Sequence, residues 1–381
     1  MRRRRVLFLT GTRADFGKLK PLMQAVMESP RHECVIFATG MHLLSRYGMT
    51  VDEVYKAGFR NIYTYMNQIH GEPMELVLAN TITGLSRFLH EEHVDLLVVH
   101  GDRVEALAGA TVGALRNLLV AHIEGGELSG TVDELIRHAV TKLSHVHFVA
   151  NAAAADRLRQ LGEAPQRTYV IGSPDVDVML SESLPRLDEA RQHYDIRFPE
   201  YGIVLFHPVT TQLPHLRRHA KALVDALLAS GRSYIVIYPN NDPGCSDIFA
   251  EYERLTDHPR FRVFPSIRFE YFLVLLRHAR FMIGNSSAGV REAPVYGVPS
   301  VNIGDRQHNR FRHPTILDAA PETPAILDAI ATAGQRGGAD PCHYFGDGRS
   351  AQRFMEVLNG EALWETPTEK QFLDQPTLAG L

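Results

Sequence analysis

Cysteine is scarce in this chain of 381 residues, and tryptophan occurs once. Cys34, Cys245 and Cys342 are scattered, cannot all pair, and show no metal-ligand spacing. A disulfide framework is therefore not expected, and a reducing, cytoplasmic compartment is. No segment approaches the ~20 apolar residues of a membrane helix, so no membrane association is expected. The apolar stretch Val6 to Leu9 behind the basic start is too short for a signal-peptide core and runs into a glycine turn. Neither sign of charge dominates: the formal net charge is −4, which offers no general attraction to nucleic acid. Arg2 to Arg5 reads as a solvated terminus. The nineteen histidines show no spacing that argues for a metal, and no metal or cofactor is expected. Heptads, low-complexity tracts and short repeats are also missing.

Short apolar runs alternating with helical patterns remain. Val6 to Leu9, Cys34 to Ala38, Leu96 to Val99, Leu118 to Ile123 and Val146 to Val149 read as buried strands, each followed by a turn and a helix-like stretch. That alternation predicts a parallel sheet with helices on both faces. The pattern pauses from about Pro174 to Pro199, a connecting region rich in Ser, Pro, Asp and Arg. It resumes with Gly202 to Phe206, Tyr234 to Tyr238, Phe261 to Phe264, Phe281 to Ile283 and Val298 to Val301. The length suits about two domains. The expectation is an α/β protein of two Rossmann-like, doubly wound domains, 1–175 and 200–355, with a cleft between them and a final segment, 356–381. In such sheets ligands bind beyond the carboxyl ends of the strands.

Polar residues gather at those ends. Thr10-Gly11-Thr12-Arg13-Ala14-Asp15-Phe16-Gly17-Lys18 follows the first strand and brings Arg13 and Lys18 near a helix start. It is neither a phosphate loop, lacking Gly-Lys-Ser/Thr, nor a dinucleotide fingerprint. His100-Gly101-Asp102-Arg103 and His122-Ile123-Glu124-Gly125-Gly126-Glu127 end two further strands, and Gly130-Thr131-Val132-Asp133-Glu134 opens a helix. Asp102, Glu124 and Asp133 (or Glu134) are expected to converge on one cleft, where neighbouring carboxylates acquire different pKa values and serve as acid and base. An acid in the first turn of a helix also has a simpler reading, attraction to the helix dipole. In the second half, His207 follows a strand and Asn240 ends the next. Ile283-Gly284-Asn285-Ser286-Ser287-Ala288-Gly289-Val290-Arg291-Glu292 reads as a strand running into a helix start. Ser286 and Ser287 would stand at the N-cap, Gly289 would admit close backbone approach, Arg291 and Glu292 would fall on the first turns, and Arg306 would add a cation. A diphosphate is the expected ligand there, with Glu292 free for a ribose diol.

Together these pieces resemble the hydrolysing UDP-N-acetylglucosamine 2-epimerases that start sialic acid synthesis. The resemblance runs from Thr10 to about Gly348, through the motifs above, Ile136-Arg137-His138-Ala139, His207-Pro208-Val209-Thr210-Thr211 and Phe345-Gly346-Asp347-Gly348. The Arg-Ala-Asp form of the first motif and the Gly-Gly after Glu124 favour the hydrolysing branch. The resemblance implies a glycosyltransferase-B-type pair of domains, with the nucleotide on the C-terminal one and the final segment returning to the N-terminal one. It implies catalytic places for Arg13, Asp102, Glu124, Asp133 and His207. It implies substrate-binding places for Lys18, Arg103, Asn240, Ser286, Ser287, Gly289, Arg291, Glu292 and Arg306. It further implies a homo-oligomer, dimer or tetramer, acting on a nucleotide sugar. No kinase segment follows, so the fused epimerase–kinase of animals is not expected.

Overall fold

The computed structural model describes residues 2–129 and 131–374; Gly130 and the end of the final segment, 375–381, lie outside the described residues. Among the described residues, thirteen strands form two all-parallel sheets. The first holds β1 (Arg4–Thr10), β2 (His32–Ala38), β3 (Ile62–Thr64), β4 (Leu96–His100), β5 (Leu119–Ile123), β6 (Val146–Val149) and β7 (Thr168–Val170), in the order β3-β2-β1-β4-β5-β6-β7. The second holds β8 (Gly202–Leu205), β9 (Tyr234–Ile237), β10 (Phe261–Phe264), β11 (Phe281–Gly284), β12 (Ser300–Ile303) and β13 (Ile316–Ala319), in the order β10-β9-β8-β11-β12-β13. Each order reverses once, between β1 and β4 and between β8 and β11. At such a reversal the loops on either side turn to opposite faces and leave a crevice.

The continuous apolar runs are explained by burial on both faces. In β1, Val6 and Phe8 meet Leu19, Met23 and Val26 of the helix Arg13–Glu28, while Leu7 and Leu9 meet Leu85 and Phe88 of the helix Met74–Glu91 on the other side. Each such side chain contributes about 1.5–3 kcal/mol on leaving water. The helix Ser350–Asn359 inserts Phe354 and Leu358 into the first of these cores. Lys370 then donates to the carbonyls of Thr141, Lys142 and Ser144, at the C-terminal end of the helix Val132–Leu143.

Three expectations change. The connecting region is partly helical, at Pro174–Met179 and Leu187–His193, because Pro174 fits the first turn and Val176 and Met179 bury. The last expected strand begins at Ser300 rather than Val298, since Pro299 has no N–H for the ladder. The helix expected after β11 is a single 3₁₀ turn, Ser287–Gly289, and a four-residue helix, Glu292–Val295. Gly297, at φ +67°, ends it at once. The short edge strands β3, β7 and β13 were too brief to stand out from their loops.

Gly284 ends β11 at φ +141°, and a Cβ there would lie 2.1 Å from the Leu205 carbonyl oxygen. Gly58 also has positive φ, at +87°, but nothing within 4 Å of its missing Cβ. Urea unfolding should show Gly284→Ala losing on the order of 3 kcal/mol and Gly58→Ala only about 1. Equal losses would mean that the β8–β11 approach is not a steric constraint.

Candidate active site

The two reversals face each other across one cleft with a cavity of about 270 Å³. From the first sheet, Asp102 follows β4 and Glu124 follows β5. Asp133 stands in the first turn of Val132–Leu143, which Thr131 caps by accepting from the Asp133 N–H at 3.4 Å. All three acids border the cavity. Glu124 is held at φ +65°, a strained conformation for a side-chain-bearing residue, while its N–H donates to Phe148 O at 3.0 Å.

These carboxyls differ in environment. Burial would raise Asp102, but Arg137, with Arg310 and Arg306 behind it, holds it below the usual carboxylate range. Arg137 lies one turn after Asp133 on the same helix, pairs with Asp102 and donates to Glu127 O at 3.0 Å. Burial raises Asp133, and the neighbouring Asp102 and Asp242 add to this, against the opposing pull of Arg306 at 3.0 Å. One carboxyl is thus kept ionised and its neighbour inclined to keep a proton, the arrangement acid–base work needs.

Beneath them lies a buried ionic cluster. The Arg291 guanidinium, 1% exposed, donates to Glu124 and to Ser173 at 2.6 and 2.5 Å, pairs with Glu127, and lies 3.7 Å from Asp175. Ser173 in turn donates to Glu124 at 2.6 Å. Lys18 bridges Asp175 at 3.3 Å and Glu292 at 2.9 Å. Burial opposes ionisation of Glu124, but Arg291, His100 and Lys18 hold it well below the ordinary range. His100 stands between Asp15, at 2.7 Å, and Glu124, at 3.3 Å. Burial alone would depress its pKa, yet the two carboxylates push it up to about 10.

From the second sheet, His207 and Asn285 clasp the ends of β8 and β11: His207 N–H donates to Asn285 Oδ1 at 2.7 Å, and Asn285 Nδ2 returns a bond to His207 O at 2.9 Å. The Asn240 N–H donates to His207 Nδ1 at 3.0 Å. Nδ1 therefore carries the lone pair and Nε2 the proton. Burial, reinforced by Arg306 and Arg103, keeps the ring neutral, with a pKa well below the ordinary value. Ser286, Ser287, Asn240, Arg103 and Arg306 line the same wall.

Three expectations are corrected. Arg291 does not line the cavity: its charge is spent on Glu124, Glu127 and Ser173. Gly289 does not line it either; its carbonyl accepts from Ser300 Oγ at 2.5 Å, and an added Cβ would meet only ordinary contacts. Glu292 is not wholly free, since Oε1 holds Lys18 and only Oε2 is buried without a partner. Lys18 borders the cavity but is paired twice. Arg13 lies at the rim, 3.9 Å from Glu53. Arg103 borders the cavity and donates to Glu105 at 3.2 Å. Sequence reasoning assigned no role to Arg137, although its i+4 spacing from Asp133 was a usable signal. Nor was one assigned to Arg310, in an irregular stretch, or to Ser173 and Asp175, at the start of the short helix Pro174–Met179, which in sequence reads as part of the connecting region.

Residues 24–359 match the family described as UDP-N-acetylglucosamine 2-epimerase. The chain is 50% identical over 374 residues to the UDP-N-acetylglucosamine 2-epimerase of Neisseria meningitidis serogroup B, covering 97% of this chain and 99% of that one. It is 31% identical to the UDP-N,N'-diacetylbacillosamine 2-epimerase (hydrolyzing) of Legionella pneumophila, covering 93% and 95%. Its fold matches the crystal structure of Methanocaldococcus jannaschii UDP-GlcNAc 2-epimerase in complex with UDP-GlcNAc and UDP, with a TM-score of 0.79 at 19% identity, covering 93% and 99%.

Because its folded pKa is raised, His100 contributes stability that is fully present below about pH 6.5 and lost as pH rises through about 10. Replacing it by Gln should cost about 2–4 kcal/mol at pH 6, since two buried carboxylates lose their partner. The gap from wild type should shrink steadily from pH 7 to 10 in urea titrations. A gap independent of pH would mean that His100 is uncharged in the folded protein.

Proposed function

Because this chain belongs to the UDP-N-acetylglucosamine 2-epimerase family, we propose that it is the hydrolysing kind, converting UDP-N-acetylglucosamine and water to N-acetylmannosamine and UDP as the first step of sialic acid synthesis. The observation that carries the reading is the pair Asp102 and Asp133, neighbours on one wall with pKa values displaced in opposite directions, facing a neutral His207.

The C2 hydrogen of the sugar is not acidic by itself. As the C1–O bond to UDP breaks, positive charge grows at C1 and makes that hydrogen removable. A carboxylate held ionised, as Asp102 is, suits removal of the proton. UDP leaves and 2-acetamidoglucal remains. Water then adds its hydroxyl to C1 while a proton reaches C2 on the opposite face, a step that a carboxyl of raised proton affinity, such as Asp133, suits. The leaving diphosphate gains negative charge, and His207 Nε2–H, Arg306 and the Ser286–Ser287 turn are donors aimed into the cavity where it would lie. The unpartnered Glu292 Oε2 suits a ribose hydroxyl. The name of the Legionella relative supports the hydrolysing outcome and also a second reading: the same chemistry on a UDP-linked 2,4-diacetamido sugar.

The reaction is tested in deuterated water with UDP-N-acetylglucosamine alone, followed by proton and phosphorus NMR. Free UDP with N-acetylmannosamine deuterated at C2 is the expected result. Intact substrate would turn attention to the 2,4-diacetamido sugar, and UDP-N-acetylmannosamine would overturn hydrolysis. Asp102→Asn and Asp133→Asn should each lower turnover by about 10²–10⁴ while UDP affinity by calorimetry changes less than about threefold. Near-normal rates in both would remove them from the mechanism. Ser287→Ala combined with Arg306→Ala should weaken UDP binding by about 10–100-fold, two charge-assisted or polar contacts being lost. Unchanged affinity would place the diphosphate elsewhere.

A further inference from the structure

Asn241 follows β9 and belongs to the second half of the chain, yet all its side-chain hydrogen bonds reach the first half. Its Nδ2 donates to Gln68 Oε1 at 3.0 Å and to Ile69 O at 2.9 Å. Its Oδ1 accepts from Gly71 N at 3.0 Å, His70 Nδ1 at 3.0 Å and Tyr47 OH at 3.2 Å. The backbone donor of Gly71 and the backbone acceptor of Ile69 fix which way the carboxamide points. The residue is 3% exposed, beside the buried Tyr47, Cys245 and Phe249.

The socket is tied to the first sheet independently of Asn241. Asn67 accepts from Gly40 N at 2.8 Å and donates to Thr81 Oγ1 at 2.7 Å, and Asn80 donates to Asn67 O at 3.0 Å. A prepared receptor therefore meets a single inserted side chain. The two neighbours of that side chain act on the cleft. The Asn240 N–H sets the His207 tautomer. Asp242 lies 3.9 Å from Arg103, which is bonded to Glu105, and Gln68 reaches Glu105 at 3.4 Å, so the contacts close into a ring. Any parting of the two sheets at this edge must break the ring.

We propose that Asn241 is a positioning residue: seating its carboxamide in the 67–71 socket couples closure of the cleft to the aim of His207 and Arg103 at a diphosphate. The inference rests on the reading of the cleft as a nucleotide-sugar site. A bound diphosphate that engages His207 and Arg103 favours the seated state, and the seated state in turn strengthens diphosphate binding, because such coupling is reciprocal.

The test uses the full-length protein with Asn241→Ala and, as a variant that keeps the acceptor oxygen, Asn241→Asp. In the ligand-free protein, ¹⁵N NMR of His207 should show one tautomer in wild type and a mixture in Asn241→Ala, with Asn240 amide exchange about tenfold faster. UDP should slow exchange of the Gly71 amide in wild type and not in Asn241→Ala. UDP affinity should fall about tenfold in the Ala variant, within the usual range of coupling between sites, and less in the Asp variant. An unchanged His207 tautomer, or unchanged UDP affinity in Asn241→Ala, would overturn the coupling and leave Asn241 a simple contact. If wild type binds no UDP, the nucleotide reading fails, and the ligand-free tautomer comparison decides the coupling by itself.

Discussion

The guanidinium of Arg291 holds the active cleft together. It comes from the short turn after β11, yet its bonds run to Glu124 and Glu127 beyond β5 and to Ser173 in the connection. A buried charge is costly in water-excluded surroundings unless every lone pair and proton around it is matched. Here one cation from the second half meets acids of the first, so neither half can bury its charges without the other. Lys18 repeats the device on a smaller scale, joining Asp175 and Glu292. The charges near the cleft floor are therefore settled before any ligand arrives, and Asp102, Asp133 and His207 are left to respond to one.

This division explains why the site holds more ionisable groups than a reaction requires. The deeper ones define a field, and the shallower ones titrate within it. Asp102 and Asp133 are close in space but differ in balance: three arginines, Arg137 foremost, act on the first, while the second has Arg306 against the repulsion of two neighbouring acids. The separation of their proton affinities follows from where each sits, Asp102 in the loop after β4 and Asp133 at the head of a helix. The sheet orders decide that, because both reversals put their loops at the same mouth.

Much of the fold was legible because parallel strands covered on both faces must be apolar throughout, and Val6 to Leu9 or Phe281 to Ile283 cannot be mistaken for surface. Edge strands such as β3 and β13 were not legible, being short and half-covered. Within the site, polar residues at strand ends could be expected to border the cleft, as Asp102 and His207 do. What sequence could not supply was the direction in which long side chains point. Arg291 was read as facing ligand because it follows a glycine- and serine-rich turn, whereas its guanidinium turns inward to acids more than 160 positions away in the chain. Such pairing between distant segments leaves no mark in local periodicity. The helical reading after β11 failed for a local reason that was visible, Pro294 and Gly297 crowding a stretch too short for two turns.

The backbone bond from Asn240 to His207 has a consequence for molecular design. With Nδ1 already occupied, the ring can offer only a proton to whatever enters beside it. The ring thus discriminates by lone pairs, beside the charges of Arg103 and Arg306 on the same wall. On the proposed diphosphate reading, an inhibitor that sets an N–H against this ring would meet donor with donor and forfeit the contact, while a neutral sulfone, all acceptor, would keep it.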